Sequence, residues 1–387
     1  MSLVHRIWQT LPRGLRRGLL FGGMAALAPR PSRHPDRDGP VTVAGFLSTS
    51  TGLGIGAQRM LAAMRDQGLD PHATDLTSAL RQGGQAVPMV PPAPGPGTLI
   101  LHVNGPMLPW AMRALGRRAV AGKRIIAVWA WELPRLPADW SHGFRFAHEI
   151  WVGSRFVAEA VEAAVPLPVR VVPYPVPAPD PSPRGRADFG LPEDAFVSLV
   201  MFDASSSIAR KNPMAAIRAH RAAFGDRPDR LLVLKTHSTA QAGAAWAEIA
   251  AIAAATPNIR VVDATLPEPD RWALMRAVDA VLSLHRAEGY GLAIAEAMRL
   301  GRAVIATEWS GNTDFMHGPG CFGVPARLVP AEDPQATYHH PEMCWAEPDE
   351  AAAAAALRRL ADLGPRSFPP VPFPVPDYAA LIGGSAT

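Results

Sequence analysis

The sequence predicts an α/β protein of two doubly wound domains, and three observations carry that expectation. The chain has 387 residues, beyond the roughly 250–300 at which a single hydrophobic core stops growing. Short apolar runs alternate with amphipathic stretches of helical period along most of its length. Near the middle, "VVPYPVPAPDPSPRGR" (171–186) interrupts that alternation with six prolines and no apolar period, the composition of a stiff linker. The expected organisation is a basic segment and linker over 1–39, a first domain over 40–180, a second over 187–365 and a tail over 366–387.

The elements follow in order. From Met1 to Arg33 there are six arginines and no acid. Leu11, Leu15 and Leu19 recur at helical spacing opposite Arg13, Arg16 and Arg17, so a helix opened by Thr10 and Pro12 would be basic and amphipathic. Such a segment suits either an anionic membrane surface or packing against its own domain. "VTVAGFL" (41–47) reads as a buried strand, "STSTGLGIG" as a glycine loop and "AQRMLAAMRDQG" as a helix ending at Gly68. "TLILHV", "RIIAVWAW" and "EIWVG" read as further strands, with a helix through 109–115 and another capped by Ser154. Beyond the linker the pattern restarts. "FVSLVMF", "RLLVLK", "NIRVV", "AVLSL" and "AVIAT" are strands, "NPMAAIRAHRAAF" is a helix, and the helix "EPDEAAAAAALRRLADLG" has Asp349 as N-cap and Gly364 just past its end. Strand and helix in alternation argue for mostly parallel sheets.

Composition excludes several classes. A net charge of +4 is too small an excess for a nucleic-acid binder. Two cysteines, Cys321 and Cys344, stand in no metal-ligand spacing, so neither a disulfide framework nor a zinc site is expected and a reducing compartment fits. No apolar run reaches the ~18 residues of a membrane span, the nearest, "LLFGGMAALA", being about half that; Gly22 and Gly23 dilute it as a signal-peptide core. Asp36 and Asp38 form a D-x-D pair in a proline-rich linker, where a solvated charge pair is the better reading than a metal site.

The densest functional signal is "SLHRAEGYGLAIAEAMRLGRAVIAT" (283–307). Glu288 and Glu296, with seven residues between them, flank a turn at the carboxyl end of a strand, where ligands bind in open α/β sheets. Gly289 and Gly291 permit a sharp turn and close approach, and the helix beginning at about Leu292 offers free N–H groups to an anion. A diphosphate fits there. Carboxylates on either side would accept hydrogen bonds from vicinal diols, an arrangement suited to a sugar nucleotide, although two solvated helix glutamates give the same spacing. Lys235 and His237 close a strand nearby and are further candidates to touch a phosphate.

"HRAEGYGLAIAEAMRLGRAVIATEWSGNTDFM" closely resembles the signature of the retaining GT-B glycosyltransferases, in particular family four, and "ARKNPMAAIRAHRAAF" is similar to the same family's diphosphate-binding segment. The resemblance covers about 189–360 and is weaker in the first domain, where it rests on Gly52, Gly54 and Gly56, "WAWELP" and "EIWVGSRF". It implies a GT-B fold of two Rossmann-like domains facing a cleft, the first on the acceptor side and the second binding the donor. It implies that Glu288 contacts the donor sugar, Glu296 the ribose hydroxyls and Lys211 the diphosphate. Relatives carry an arginine at the end of the preceding strand, where this chain has "VMFDASSS", and its role is transferred to Arg210. Gly289, Tyr290, Gly291, Leu292 and Gly54 fall at donor-contact positions. His102, at a strand end, is either a catalytic or a structural histidine. Asn104, Trp131 and Glu132 are either acceptor contacts or interdomain packing.

The resemblance further implies hexose transfer from a GDP- or UDP-linked donor to a hydroxyl acceptor with retention, the departing phosphate taking the acceptor proton. A glycan or lipid-linked oligosaccharide in bacterial polysaccharide assembly is the expected acceptor. No cofactor or metal is expected, and the expected location is the cytoplasm, peripheral on the inner face of the plasma membrane. A nucleotide-sugar epimerase of the same fold, or a non-catalytic nucleotide-sugar-binding protein, is the alternative.

Overall fold

The computed structural model describes residues 13–83, 87–338, 340–364 and 367–383. The chain divides into two compact units, one of residues 1–131, 135–175 and 374–387, the other of 132–134 and 176–373.

The first unit opens with α1 (Arg13–Leu27) and continues as β1 (Val41–Gly45), α2 (Gly52–Asp66), β2 (His72–Asp75), β3 (Thr98–His102), α3 (Leu108–Leu115), α4 (Arg117–Val120), β4 (Arg124–Trp129), β5 (Glu149–Val152), α5 (Arg155–Glu162) and β6 (Val169–Val171). The strands form one parallel sheet in the order β2-β1-β3-β4-β5-β6. Every residue of β3, β4 and β5 is buried, because helices cover both faces of a parallel sheet and leave no polar side. The helix α2 begins at Gly52, five residues ahead of the expected start, because Thr51 caps it by accepting from the Gly54 amide at 3.3 Å. The short β2 was not legible in the sequence. Of the expected N-terminal segment, Thr10, Leu11 and Pro12 lie outside the described residues, as do the side chains of Arg13, Leu15 and Arg17.

The second unit contains β7 (Phe196–Met201), α6 (Ile208–Lys211), α7 (Pro213–Phe224), β8 (Arg230–Thr236), α8 (Gly243–Ala254), β9 (Ile259–Asp263), α9 (Glu268–Ala277), β10 (Ala280–Ser283), α10 (Leu292–Arg299), β11 (Ala303–Thr307), β12 (Cys321–Val324), β13 (Ala326–Ala331), β14 (His340–Pro348) and α11 (Glu350–Asp362). Its parallel sheet runs β12-β11-β10-β7-β8-β9. The strand order reverses between β7 and β10, so the loops leaving those two strands diverge to opposite faces and open a crevice at their carboxyl ends. The antiparallel hairpin β13–β14 is an excursion that the apolar pattern did not announce. Asp349 accepts from the amides of Ala351 and Ala352 and starts α11, and Gly364 takes a left-handed φ of 74° after its end, both as the sequence predicts.

The chain passes from the first unit to the second between 175 and 176, inside the proline-rich segment and ahead of the expected 180–187. The tail is not free. Residues 374–383 return to the first unit, where α12 (Tyr378–Gly383) buries Tyr378 completely. Gln67 donates to the Pro376 carbonyl at 2.8 Å and accepts from the Tyr378 amide at 3.0 Å, while Arg124 donates to the Ile382 carbonyl at 2.8 Å. A side chain as large as Tyr378, buried in this way, outweighs what proline content suggests about the segment. Both cysteines are free thiols.

Candidate active site

The crevice between β7 and β10 collects the charged residues that the sequence singled out. After β7, Ser207 caps the single turn α6 by accepting from the Arg210 amide at 3.0 Å. Asn212 then takes a left-handed conformation, φ 51°, and Pro213 starts α7 at its first position. Asparagine tolerates that conformation and proline is preorganised for a helix start. The run Arg210-Lys211-Asn212-Pro213 is therefore a tight reversal that holds both cations beside the carboxyl end of the sheet.

The loop after β10 meets it. The Arg286 amide donates to the Arg210 carbonyl at 2.7 Å, and Arg210 donates back to the Ala287 carbonyl at 2.7 Å. Between these ties sits the Glu288 carboxylate, 3.4 Å from the Arg210 guanidinium and hydrogen-bonded to Lys211. Burial opposes ionisation of Glu288, but the pull of Lys211 and Arg210 prevails and brings its carboxyl down to about 2. Burial lowers the Lys211 pKa, partly offset by Glu288. Burial also disfavours the Arg210 charge, yet Tyr338, Glu288 and Glu132 outweigh it and hold that pKa above its ordinary value. Glu288 and Arg210 are therefore ionised at neutral pH.

Gly291, at φ 96°, caps α10. A Cβ there would meet Asn312 and Ile294 at 3.3 Å in a conformation that L-residues avoid, so the turn requires glycine. Glu296 lies one turn inside α10, nearly buried, and bonds to Arg271 of α9. Arg271 also reaches Glu268 at 3.3 Å. The two glutamates thus belong to one crevice but carry separate cationic partners, Glu288 with Arg210 and Lys211, Glu296 with Arg271. Lys235, at the end of β8, is 5% exposed, and burial lowers its pKa, with Arg271 adding to the effect.

Several supporting groups were missed. Ser310 accepts from the Glu288 amide at 2.9 Å, and the Gly311 amide donates to the Glu288 carbonyl at 2.9 Å. Asn312 bonds the buried His285 ring at 3.0 Å and donates to the Thr307 carbonyl at 2.9 Å. The "SGN" after the last predicted strand was the available signal. The tip of the β13–β14 hairpin supplies the rest. Gln335 accepts from the Ile208 amide at 2.5 Å and donates to the Ser206 carbonyl at 3.0 Å, while Tyr338 lies 5.1 Å under the Arg210 guanidinium and donates to Glu132 at 2.9 Å. No local pattern marks these, since they act across more than a hundred residues.

Other expected site residues sit elsewhere in function. His102 is fully buried at the end of β3, its Nε2 3.2 Å from the Met60 sulfur, and burial pushes its pKa down to about 3. In this structure His102 takes the core position that was the alternative to a catalytic one. Gly54 is buried in the first turn of α2, where a Cβ would collide with Thr49 and the Phe46 carbonyl. That close approach by itself requires glycine at this position. Tyr290 turns its ring onto Phe315, centroids 4.9 Å apart, and is 6% exposed, so a side-chain donor contact is likewise corrected to packing. Gly289 and Leu292 are half-buried around the turn. The expected acceptor residues have these partners. Asn104 accepts from the Ala130 amide at 2.9 Å, and Trp131 is buried, donating to the Arg135 carbonyl at 2.9 Å and packing edge-on to Trp140 at 5.2 Å. Glu132 groups with the second unit through Tyr338.

Comparison with known proteins accords with this geometry. Residues 216–361 match the family model described as glycosyl transferases group 1, a span that holds Glu288 and Glu296 and begins just after Lys211. A glycosyltransferase structure from Rickettsia africae is 13% identical, covering 84% of this chain and 89% of that one, with a TM-score of 0.58. An Anabaena protein solved with UDP and glucose is 12% identical over 83% and 90%, TM-score 0.54. An Escherichia coli protein of trehalose-6-phosphate, bound with UDP-2-fluoro glucose, is 10% identical over 84% and 92%, TM-score 0.54. The chain spans about half the length, 50% and 52%, of two longer structures, a pneumococcal O-GlcNAc transferase and TarM of S. aureus. No curated protein sequence matches it. The likenesses, together with the two parallel six-stranded sheets, establish the GT-B fold expected from the sequence.

Proposed function

We propose that the protein is a retaining glycosyltransferase, moving a hexose from a nucleoside-diphosphate sugar to a hydroxyl acceptor without a metal. The observation that carries this reading is the cluster of Lys211, Arg210 and Glu288 at the strand-order reversal, directly before the N-terminus of α10. A diphosphate placed there meets two cations and the positive end of a helix. As the glycosidic bond breaks, negative charge grows on the departing phosphate, and fixed cations in a site of low water content stabilise it. Glu288 then accepts from donor-sugar hydroxyls, and Glu296, steadied by Arg271, from the ribose. The leaving phosphate accepts the acceptor proton on the same face of the sugar, so neither glutamate acts as nucleophile.

In this proposal the second unit binds the donor and the first carries the acceptor, a glycan or lipid-linked oligosaccharide of bacterial polysaccharide assembly. The donor pool places the reaction in the cytoplasm; among the described residues no helix is long and apolar enough to cross a membrane. UDP accompanies two of the similar structures, which makes UDP-sugars the first donors to try, with GDP-sugars beside them. Thermal unfolding against a panel of both is the test. A donor at a hundredfold its Kd contributes about 2.7 kcal/mol to folded-state stability and raises the melting point. Lys211→Ala should abolish that rise and cut transfer about a hundredfold or more. If no nucleoside-diphosphate sugar raises the melting point, the reading fails.

A further inference from the structure

We infer that the first unit carries a docking site for the phosphate headgroups of an anionic membrane, built by α1 together with the α3–α4 corner. Among its described side chains, α1 packs through Phe21 and Ala25. Phe21 meets Trp110 edge-on at 5.2 Å, and Ala25 and Ala28 are buried beside it. The opposite arc leaves Leu19 and Leu20 each 52% exposed and Leu27 73% exposed. Leu20 and Leu27 are seven residues apart and so lie along one line of the helix. These three are among the most exposed large apolar side chains of the described residues, and an exposed row of this kind marks an interaction surface.

The charged residues that line the cavity beside that row have one sign. Where α1 ends, a cavity of about 550 Å³ is lined by Leu27, Pro29, Arg30, Arg113 and Arg117. Arg113 comes from α3 and Arg117 from α4, and Arg118 is exposed next to them. Arg30 reaches the same cavity while its guanidinium rests 5.3 Å over the Phe146 ring, which fixes its position without neutralising it. Residues 13–35 and 105–131 contain no Asp or Glu. Hence no acid from these two stretches offsets the arginines.

Cations beside a leucine row match the boundary of an anionic bilayer. Guanidinium groups pair with phosphate oxygens in the headgroup layer, and leucines alongside enter the acyl boundary below it. A soluble anion or a nucleic acid would use the arginines but leave the leucines without a purpose. The sequence alone offered residues 1–33 as either a membrane foot or a packing helix. The folded chain adds three arginines from about a hundred residues later and turns a stripe into a pocket. The site lies wholly within the first unit and does not rest on the donor reading.

The test uses the full chain and sedimentation with phosphatidylcholine vesicles, with and without about one third phosphatidylglycerol, at about 0.1 M salt. Wild type should partition onto the anionic vesicles and not onto the neutral ones. Arg113→Gln with Arg117→Gln should lower that partition about 25-fold, roughly fivefold per basic residue. Leu20→Gln with Leu27→Gln should lower it as well, and neither pair should shift the melting point, since all four side chains are exposed. Salt near 0.5 M should reproduce the loss. Equal binding to neutral and anionic vesicles, or unchanged binding of the arginine variant, overturns the proposal. So does an arginine effect on binding of single-stranded RNA with no vesicle binding at all, which would make the patch a polyanion site.

Discussion

Glu288 lies between two cations in the structure, yet the proposed reaction needs its oxygens for sugar hydroxyls. The two statements agree if the diphosphate takes over Lys211 and Arg210 when the donor binds, freeing the carboxylate to orient the sugar. Glu288→Gln removes the charge but keeps the shape. It should leave affinity for the free nucleoside diphosphate near wild type, or raise it slightly, because the two cations lose an internal competitor. Transfer should nevertheless fall about 10²- to 10³-fold, since a misplaced anomeric carbon forfeits the advantage of orientation. Calorimetry with the diphosphate beside a transfer assay measures both; a collapse of nucleotide affinity would exchange the roles of Glu288 and Glu296. For Glu296, the bond to Arg271 suggests a second measurement. Arg271→Ala should loosen the carboxylate and raise the donor KM with little change in kcat, as ribose contacts are alike in ground and transition states. A large fall in kcat at constant KM would place Arg271 at the reacting phosphate instead.

At the scale of elements, the hairpin β13–β14 governs the cation loop from outside it. Asp333 is 2% exposed and accepts from the amides of Gln335, Thr337 and Tyr338 at 3.0 to 3.1 Å, which makes the tip a self-supporting turn. Gln335 then spends both ends of its amide on the 204–208 backbone. Gln335→Ala strands the Ile208 amide, and an unmade hydrogen bond of that kind costs about 1–3 kcal/mol. The expected outcome is a several-fold higher donor KM with the fold intact, read by steady-state kinetics and thermal unfolding. Unchanged kinetics would show that α6 holds Arg210 and Lys211 without the tip.

For the molecule as a whole, buried histidines set a lower limit on pH. Burial lowers the pKa of His102 to about 3 and of His220 to about 4, against an ordinary 6.5, and lowers that of His285. The unfolded chain therefore binds these protons first. Their contribution is complete above about pH 7 and is lost as pH falls through 6.5 toward the folded-state values. His102 and His220 should each withdraw about 2 kcal/mol between pH 7 and pH 5. His102 belongs to the first unit and His220 to the second, so both should weaken. Denaturant titrations at pH 7, 6 and 5 check this; stability that is flat over the range would mean the rings are less sealed than their surroundings imply.

The sequence by itself determined the parts that depend on local geometry. A strand, two glycines and a helix of period 3.6 within 280–299 are enough to place Glu288 and Glu296 on either side of a glycine turn at a strand's carboxyl end. The run Arg210-Lys211-Asn212-Pro213 likewise encodes its own reversal. Alternation of strand and helix implied two parallel sheets because parallel strands need long crossovers. What only the tertiary structure decided depends on partners distant in the chain. Apolar periodicity shows that β3 is buried but not that His102 is sealed, because that depends on which side chains of α2 close over it. Glycine spacing cannot tell a ligand's approach from a self-contact, and at Gly54 the neighbouring Thr49 and Phe46 decide. The hairpin at the cations and the return of the tail to Gln67 and Arg124 join residues more than a hundred apart. Closing such loops is favourable only once both surfaces exist to be matched, so no short stretch of sequence records them.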